Sequence, residues 1–160
     1  MPTDTDFKDL YTTGPKIYFE DIELDNRKEL GSFYVAKDDV INFALEWDPQ
    51  PFHTDEEAAK ASLYGGLTGS SIHMLAVLSK KVSQNSGNLA ALANLSTRYD
   101  MPTPMRVDDT LFFHSMATEK RLSKSREGVG IVSFHSTATN QRDEIVMQHY
   151  STVMMACRPT

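Results

Sequence analysis

Trp47-Asp48-Pro49-Gln50-Pro51-Phe52-His53 is the stretch on which the fold turns. Each proline fixes its own φ and pushes the residue before it toward extended geometry. A helix arriving from the N-terminal side therefore stops at Asp48, and a stiff corner carries the chain on to His53. Upstream, Val40, Phe43, Ala44 and Trp47 recur at helical spacing, with Asp38 or Asp39 as the predicted N-cap. Downstream, Thr54 followed by Glu57 reads as a capping box, and Asp55 and Glu56 suit the positive end of a second helix.

Working outward, Gly65-Gly66 ends that helix and opens a loop into a third one, from Ser70 to about Ser83. Ile72, Leu75, Ala76 and Ser79 mark one face of it, and Met74, Val77 and Leu78 the others. A helix apolar nearly all round is expected to be buried. A short strand over Leu30 to Val35 precedes the first helix. The second half of the chain is β-rich, over Leu92–Asp100, Thr110–Leu122, Val129–Thr139 and Glu144–Ala156. Asp108-Asp109, Ser123 to Gly128 and Asn140 to Asp143 supply the turn chemistry between the later strands. Helices first and a strand meander afterwards predict an α+β domain, one antiparallel sheet beside one buried helix. Residues 1–16 are polar, carry Gly14-Pro15, and read as a flexible arm, leaving 17–160 as the domain.

The corner also carries chemistry. A rigid turn presenting one carboxylate and one imidazole suits water activation, because His accepts a proton near neutral pH and Asp can orient the ring or handle a second proton. The loop Gly65-Gly66-Leu67-Thr68-Gly69-Ser70-Ser71 runs straight into the third helix, whose free first-turn N–H groups can receive a developing oxyanion. On residue types alone a bland alternative stands beside each reading. Asp, Pro and His are common connectors, and Gly-rich loops often precede helices.

The whole chain sets bounds. Its 160 residues fit one domain, and its single cysteine, Cys157, cannot form an internal disulfide, so a reducing compartment is expected. No apolar run is long enough to span a bilayer, and the start lacks the pattern of a signal peptide, which makes the cytoplasm the expected location. A net charge of −6 argues against a nucleic-acid surface. Lys80-Lys81, Arg98 and Arg106 form a conceivable basic rim for an anionic ligand, or simply a solvated surface. His73, His114, His135 and His149 show no metal-ligand spacing, and the last three read as satisfied structural residues on strands. His73, beside the loop, is a candidate for supporting the site. Cys157 reads as inert, and the methionines as packing.

Phe43-Ala44-Leu45-Glu46-Trp47-Asp48-Pro49-Gln50-Pro51-Phe52-His53 resembles the Phe-Ala-x-x-x-Asp-x-x-Pro-x-His pattern of the MaoC-like dehydratases, which include the (R)-specific enoyl-CoA hydratases. The loop from Gly65 to His73 lines up with that family without a gap. Tyr99 to Leu111 resembles its strand–Pro–Val–Gly–Asp turn, and Tyr18-Phe19-Glu20-Asp21 its lead-in. The resemblance implies a hot-dog fold, in which the antiparallel sheet wraps the long central helix, and a homodimer. It also implies a hydratase/dehydratase acting on an enoyl thioester of coenzyme A or acyl carrier protein, with no further cofactor and no metal. Asp48 and His53 take the catalytic positions, sharing a water whose addition would be syn. Ser70, Ser71 and Gly66 take the oxyanion and substrate loop, and Ser79 an active-site serine position. One departure is Ser71, where the family usually has Gly; Gly69 is a possible compensating donor. On the same fold, an acyl-CoA thioesterase and a non-catalytic acyl-CoA-binding module are the alternatives.

Overall fold

The computed structural model describes residues 15–159. Apart from Pro15 and Lys16, both exposed, the arm expected over 1–16 lies outside the described residues. The chain opens with a 3-10 turn, Phe19–Asp21, and then strand β1, Lys28–Tyr34. Helices α1 (Lys37–Trp47), α2 (Pro51–Thr54), α3 (Glu56–Ala61) and α4 (Ser71–Asn85) follow. Strands β2 (Ala91–Asp100), β3 (Thr110–Leu122), β4 (Val129–Thr139) and β5 (Ile145–Ala156) complete the order. The strands form one five-stranded sheet, β1-β3-β4-β5-β2, antiparallel at every pairing. This is the α+β architecture expected from the sequence.

Two helix starts differ from expectation. The N-cap of α1 is Ala36, which offers no side-chain cap, so Asp38 and Asp39 sit in the first turn and act on the helix dipole instead. The Thr54/Glu57 capping box does not form. Thr54 Oγ1 donates to the Gln50 carbonyl, and Asp55 caps α3 by accepting from the Ala58 amide at 2.7 Å. An Asp one residue later wins because its carboxylate is the stronger acceptor at a helix N-terminus.

Helix α4 is held on one side. His73, Met74, Val77 and Leu78 are buried, and Met74 and Leu78 pack with Leu30, Val40, Leu111, Phe113 and Met147 in the main core. Complete burial of side chains this size contributes roughly 1.5–3 kcal/mol each, and Met74→Ala would cost about 2–5 kcal/mol. Asn85 Nδ2 fastens the far end of α4 to β1 by donating to the Leu30 carbonyl at 2.9 Å. The helix is not enclosed all round, as its composition suggested. Ile72 is 48% exposed, and Ala76 and Ser79 are exposed with it. A second, smaller core joins Phe19 and Ile22 to Ala117, Val132 and Met155 of the sheet. The edge strand β2 is exposed along its whole length.

Candidate active site

Asp48 is the C-cap of α1, with φ −156° and ψ 69°, its amide still donating to the Ala44 carbonyl. Beyond it Gln50 N donates to the Asp48 carbonyl at 2.7 Å, which closes the corner. Pro51 stands at the start of α2, where a missing N–H has no helical partner to lose. That single turn aims the His53 ring inward. His53 is buried, 7% exposed, while the Asp48 side chain keeps 23% of its surface.

Two contacts fix the pair. His53 Nδ1 lies 2.6 Å from the Thr68 carbonyl. A carbonyl only accepts, so Nδ1 carries a proton, and in the neutral ring Nε2 presents a lone pair. Nε2 lies 3.6 Å from Asp48 Oδ2. That is too long for a direct hydrogen bond, and the two atoms are near enough for one water beside them to touch both. Asp48 Oδ2 in turn accepts the Ser70 hydroxyl at 2.6 Å. Ser70 is fully buried, and as the N-cap of α4 its oxygen also accepts the Ile72 amide at 3.2 Å. One serine thus ties the carboxylate to the positive end of the long helix.

The loop is shaped by close contacts. Gly65 adopts φ +65°, and a Cβ on Gly69 would fall 1.8 Å from Met105 Cε. The Gly69 amide donates to the Met105 carbonyl at 2.8 Å, so it is engaged and cannot compensate as an oxyanion donor. Ser71 is the first residue of α4; its φ is not positive, and its amide has no partner among the described residues. The serine therefore fits without the backbone freedom of glycine and leaves its N–H available. Gly66 is half-buried, with Arg106 Nη1 3.7 Å from where its Cβ would stand.

Asp48, His53, Ser70 and the Ser71 amide are thus brought to one helix end. Ser79 is not part of that cluster. It lines a groove of about 580 Å³ along α4 whose wall includes neither Asp48 nor His53. His73 does not support the pair by hydrogen bonding either. Its ring stacks on Phe43 at 4.4 Å, its Nδ1 has no partner among the described residues, and burial lowers its pKa. The strand histidines also depart from expectation: His114 and His149 leave Nδ1, and His135 leaves Nε2, buried without a partner among the described residues. Of the basic rim, Arg98 pairs with Asp100 at 3.1 Å and lies over the Tyr150 ring, while Arg106 borders the loop. Thr68 was missed from sequence, since it acts through its backbone carbonyl and any residue type supplies one. Among the described residues, no group of three His, Cys, Asp or Glu is placed to hold a metal, and no helix is long and apolar enough to cross a membrane.

Residues 27–149 match the FAS1-like family in its dehydratase domain region. A MaoC-like dehydratase from Rhodospirillum rubrum superposes with a TM-score of 0.83 at 32% identity, over 90% of this chain and 99% of that one. A monoamine oxidase regulatory protein from Archaeoglobus superposes at 0.81 with 26% identity, over 91% of this chain and 98% of that one. The uncharacterized Bacillus subtilis protein YdeM is 29% identical over 126 residues, 78% of this chain and 88% of its own length. The chain belongs to the MaoC-like dehydratase family, with its hot-dog fold and a general hydratase/dehydratase activity.

Proposed function

We propose that this protein hydrates, and in reverse dehydrates, the 2,3-double bond of an enoyl thioester, with Asp48 and His53 as the catalytic pair. The observation that carries the reading is the His53 ring, whose Nδ1 is held by the Thr68 carbonyl while Nε2 stands 3.6 Å from Asp48 Oδ2. A water touching both gives one proton to Nε2 as its oxygen bonds to C3, and the carbonyl oxygen of the thioester takes up negative charge. The Ser71 amide at the start of α4 receives that charge in this reading. The pair then returns one proton to C2, Asp48 being the partner through which it moves, so one hydrogen of the water ends on oxygen and one on carbon. Each group reverses its role in dehydration.

The same reading includes a homodimer, since edge strand β2 and the Ile72–Ala76 side of α4 stand open in a single chain. A stable monomer in light scattering would remove that part. The chemistry is tested with 2-enoyl-CoA thioesters of four to eight carbons. Loss of the conjugated enoyl absorbance without release of thiol is expected. Thiol release from a saturated acyl-CoA would instead indicate a thioesterase, and ligand binding with neither reaction would indicate a binding module.

A further inference from the structure

The groove of about 580 Å³ runs between the two cores, with α4 on one side and the sheet on the other. Its floor departs from what an apolar chain would need. Register places Ser115 of β3 opposite Ser136 of β4, Ser136 opposite His149 of β5, and His149 opposite Tyr99 of β2. Directly paired residues point to the same face of a sheet, so these side chains form one polar row across the strands. The next row continues it, with Ser151 opposite Thr97. Ser115, Ser136, His149, Ser151 and Thr97 all line the groove, and Ser79 faces them from the helix.

The row is not self-sufficient. Ser136 Oγ donates to Ser115 Oγ at 2.8 Å, yet His149, 9% exposed, has Nδ1 buried with no partner among the described residues. Leaving a buried polar atom unpaired is costly, and Leu or Val at these positions would have closed the core instead. Burial and the nearby His135 also hold the His149 pKa below the ordinary imidazole value, so the ring offers a neutral hydrogen-bonding edge. The groove follows the same helix that begins at Ser71. At the α-helical rise, Leu75 stands about 6 Å and Ser79 about 12 Å along the axis from that residue.

From this geometry, and resting on the enoyl-thioester reading above, we infer that the groove takes an acyl chain carrying a neutral oxygen, a hydroxyl or a keto group, beyond the reacting carbons, which hydrogen-bonds with Ser136 and His149. A charged carboxylate is disfavoured there, because among the described residues no cation faces the middle of the row; Lys28 stands at its β1 end.

The test uses saturated acyl-CoA thioesters, which cannot be hydrated: hexanoyl- and octanoyl-CoA beside their terminal hydroxy, penultimate-carbon keto and terminal carboxy counterparts, measured by calorimetry. The hydroxy or oxo chain should bind about five- to ten-fold more tightly than the plain chain, the worth of one net hydrogen bond. The carboxy chain should bind less tightly than either oxygenated neutral one. Ser136→Ala, and separately His149→Leu, should bring the oxygenated-to-plain ratio close to one, with thermal melting confirming that each variant folds. Equal or tighter binding of the plain chain at both lengths overturns the inference, as does a preference that survives both substitutions or one for the carboxylate. If enoyl thioesters are hydrated without any such preference, only this inference falls. If the preference appears without hydration, only the hydratase reading falls. If no acyl-CoA binds, both do.

Discussion

The two ends of the space around α4 treat polar groups in opposite ways. At its first turn, Asp48, His53 and Ser70 are locked to one another or to the backbone. Nδ1 of His53 meets the Thr68 carbonyl, and the Ser70 hydroxyl meets Asp48 while capping the helix. Farther along, beneath the same helix, His149 keeps a buried nitrogen that no described residue meets. Groups that must repeat one proton movement gain from being held in one geometry before substrate arrives. A site that recognises a ligand gains from keeping at least one hydrogen-bonding atom open until it comes. The first arrangement stabilises the empty protein, and the second costs it stability.

The largest effects should fall at the locked end. Asp48→Asn and His53→Asn are each expected to lower hydration of a 2-enoyl-CoA by about 10²–10⁴-fold. Asn at 53 is the informative choice, because its amide N–H can still reach the Thr68 carbonyl while the Nε2 lone pair is gone. A truncation such as His53→Ala would confuse the two effects by opening a cavity at a buried site. Turnover within a few-fold of the parent in stopped-flow absorbance assays, for both variants, would show that the locked cluster is structural and break the contrast.

How visible these regions are in sequence follows from what holds them. The corner between Asp48 and His53 is legible because Pro49 and Pro51 leave few backbone choices, while its acid and imidazole stand out only through the resemblance to the MaoC-like pattern. The limits of β3 and β4 are legible because Asp108-Asp109, Ser123 to Gly128 and Asn140 to Asp143 interrupt long alternating runs. The Ala36 cap is not legible, since alanine carries no capping signal and two aspartates follow it. Nor are the Ser70–Asp48 and Thr68–His53 contacts, which bridge 22 and 15 positions and depend on how the loop folds back. The polar row of Ser115, Ser136 and His149 is hidden for a further reason. Each residue alone passes for an ordinary strand position, and only the register of three strands puts them side by side.

Ser70→Ala should have a middle-sized effect and sharpens the comparison, because it removes a polar group that is fully paired. Losing the N-cap is expected to cost about 1 kcal/mol, or roughly 2–4 °C in melting temperature for a chain this long. Hydration should fall by about ten-fold, since Asp48 loses the hydroxyl that orients it. Ser70→Thr, which keeps the hydroxyl, should recover most of both. If Ser70→Ala melts lower with unchanged turnover, and Ser70→Thr gains nothing, the serine serves the helix alone.

The smallest effect concerns histidines without partners and their response to pH. Burial lowers the pKa of His73, against a weaker opposing pull from Asp39, and burial with His135 lowers that of His149. A depressed imidazole pKa means the folded chain resists a proton that the unfolded chain accepts at about pH 6.5. Stability from these rings being neutral is therefore complete above that pH and is lost as pH falls below it. Melting temperature should be level from about pH 7 to 8 and drop by a few degrees toward pH 5. His73→Phe and His149→Leu should each flatten part of the slope, and each should melt no lower than the parent at pH 7.5, the opposite of Ser70→Ala, because a buried unpaired nitrogen has been removed. Some slope should remain from His114, whose pKa is lowered by burial and by Arg27. A double variant as acid-sensitive as the parent would mean that the vacant nitrogens are already hydrated, and the open end of the helix would then be no more costly to the fold than the locked one.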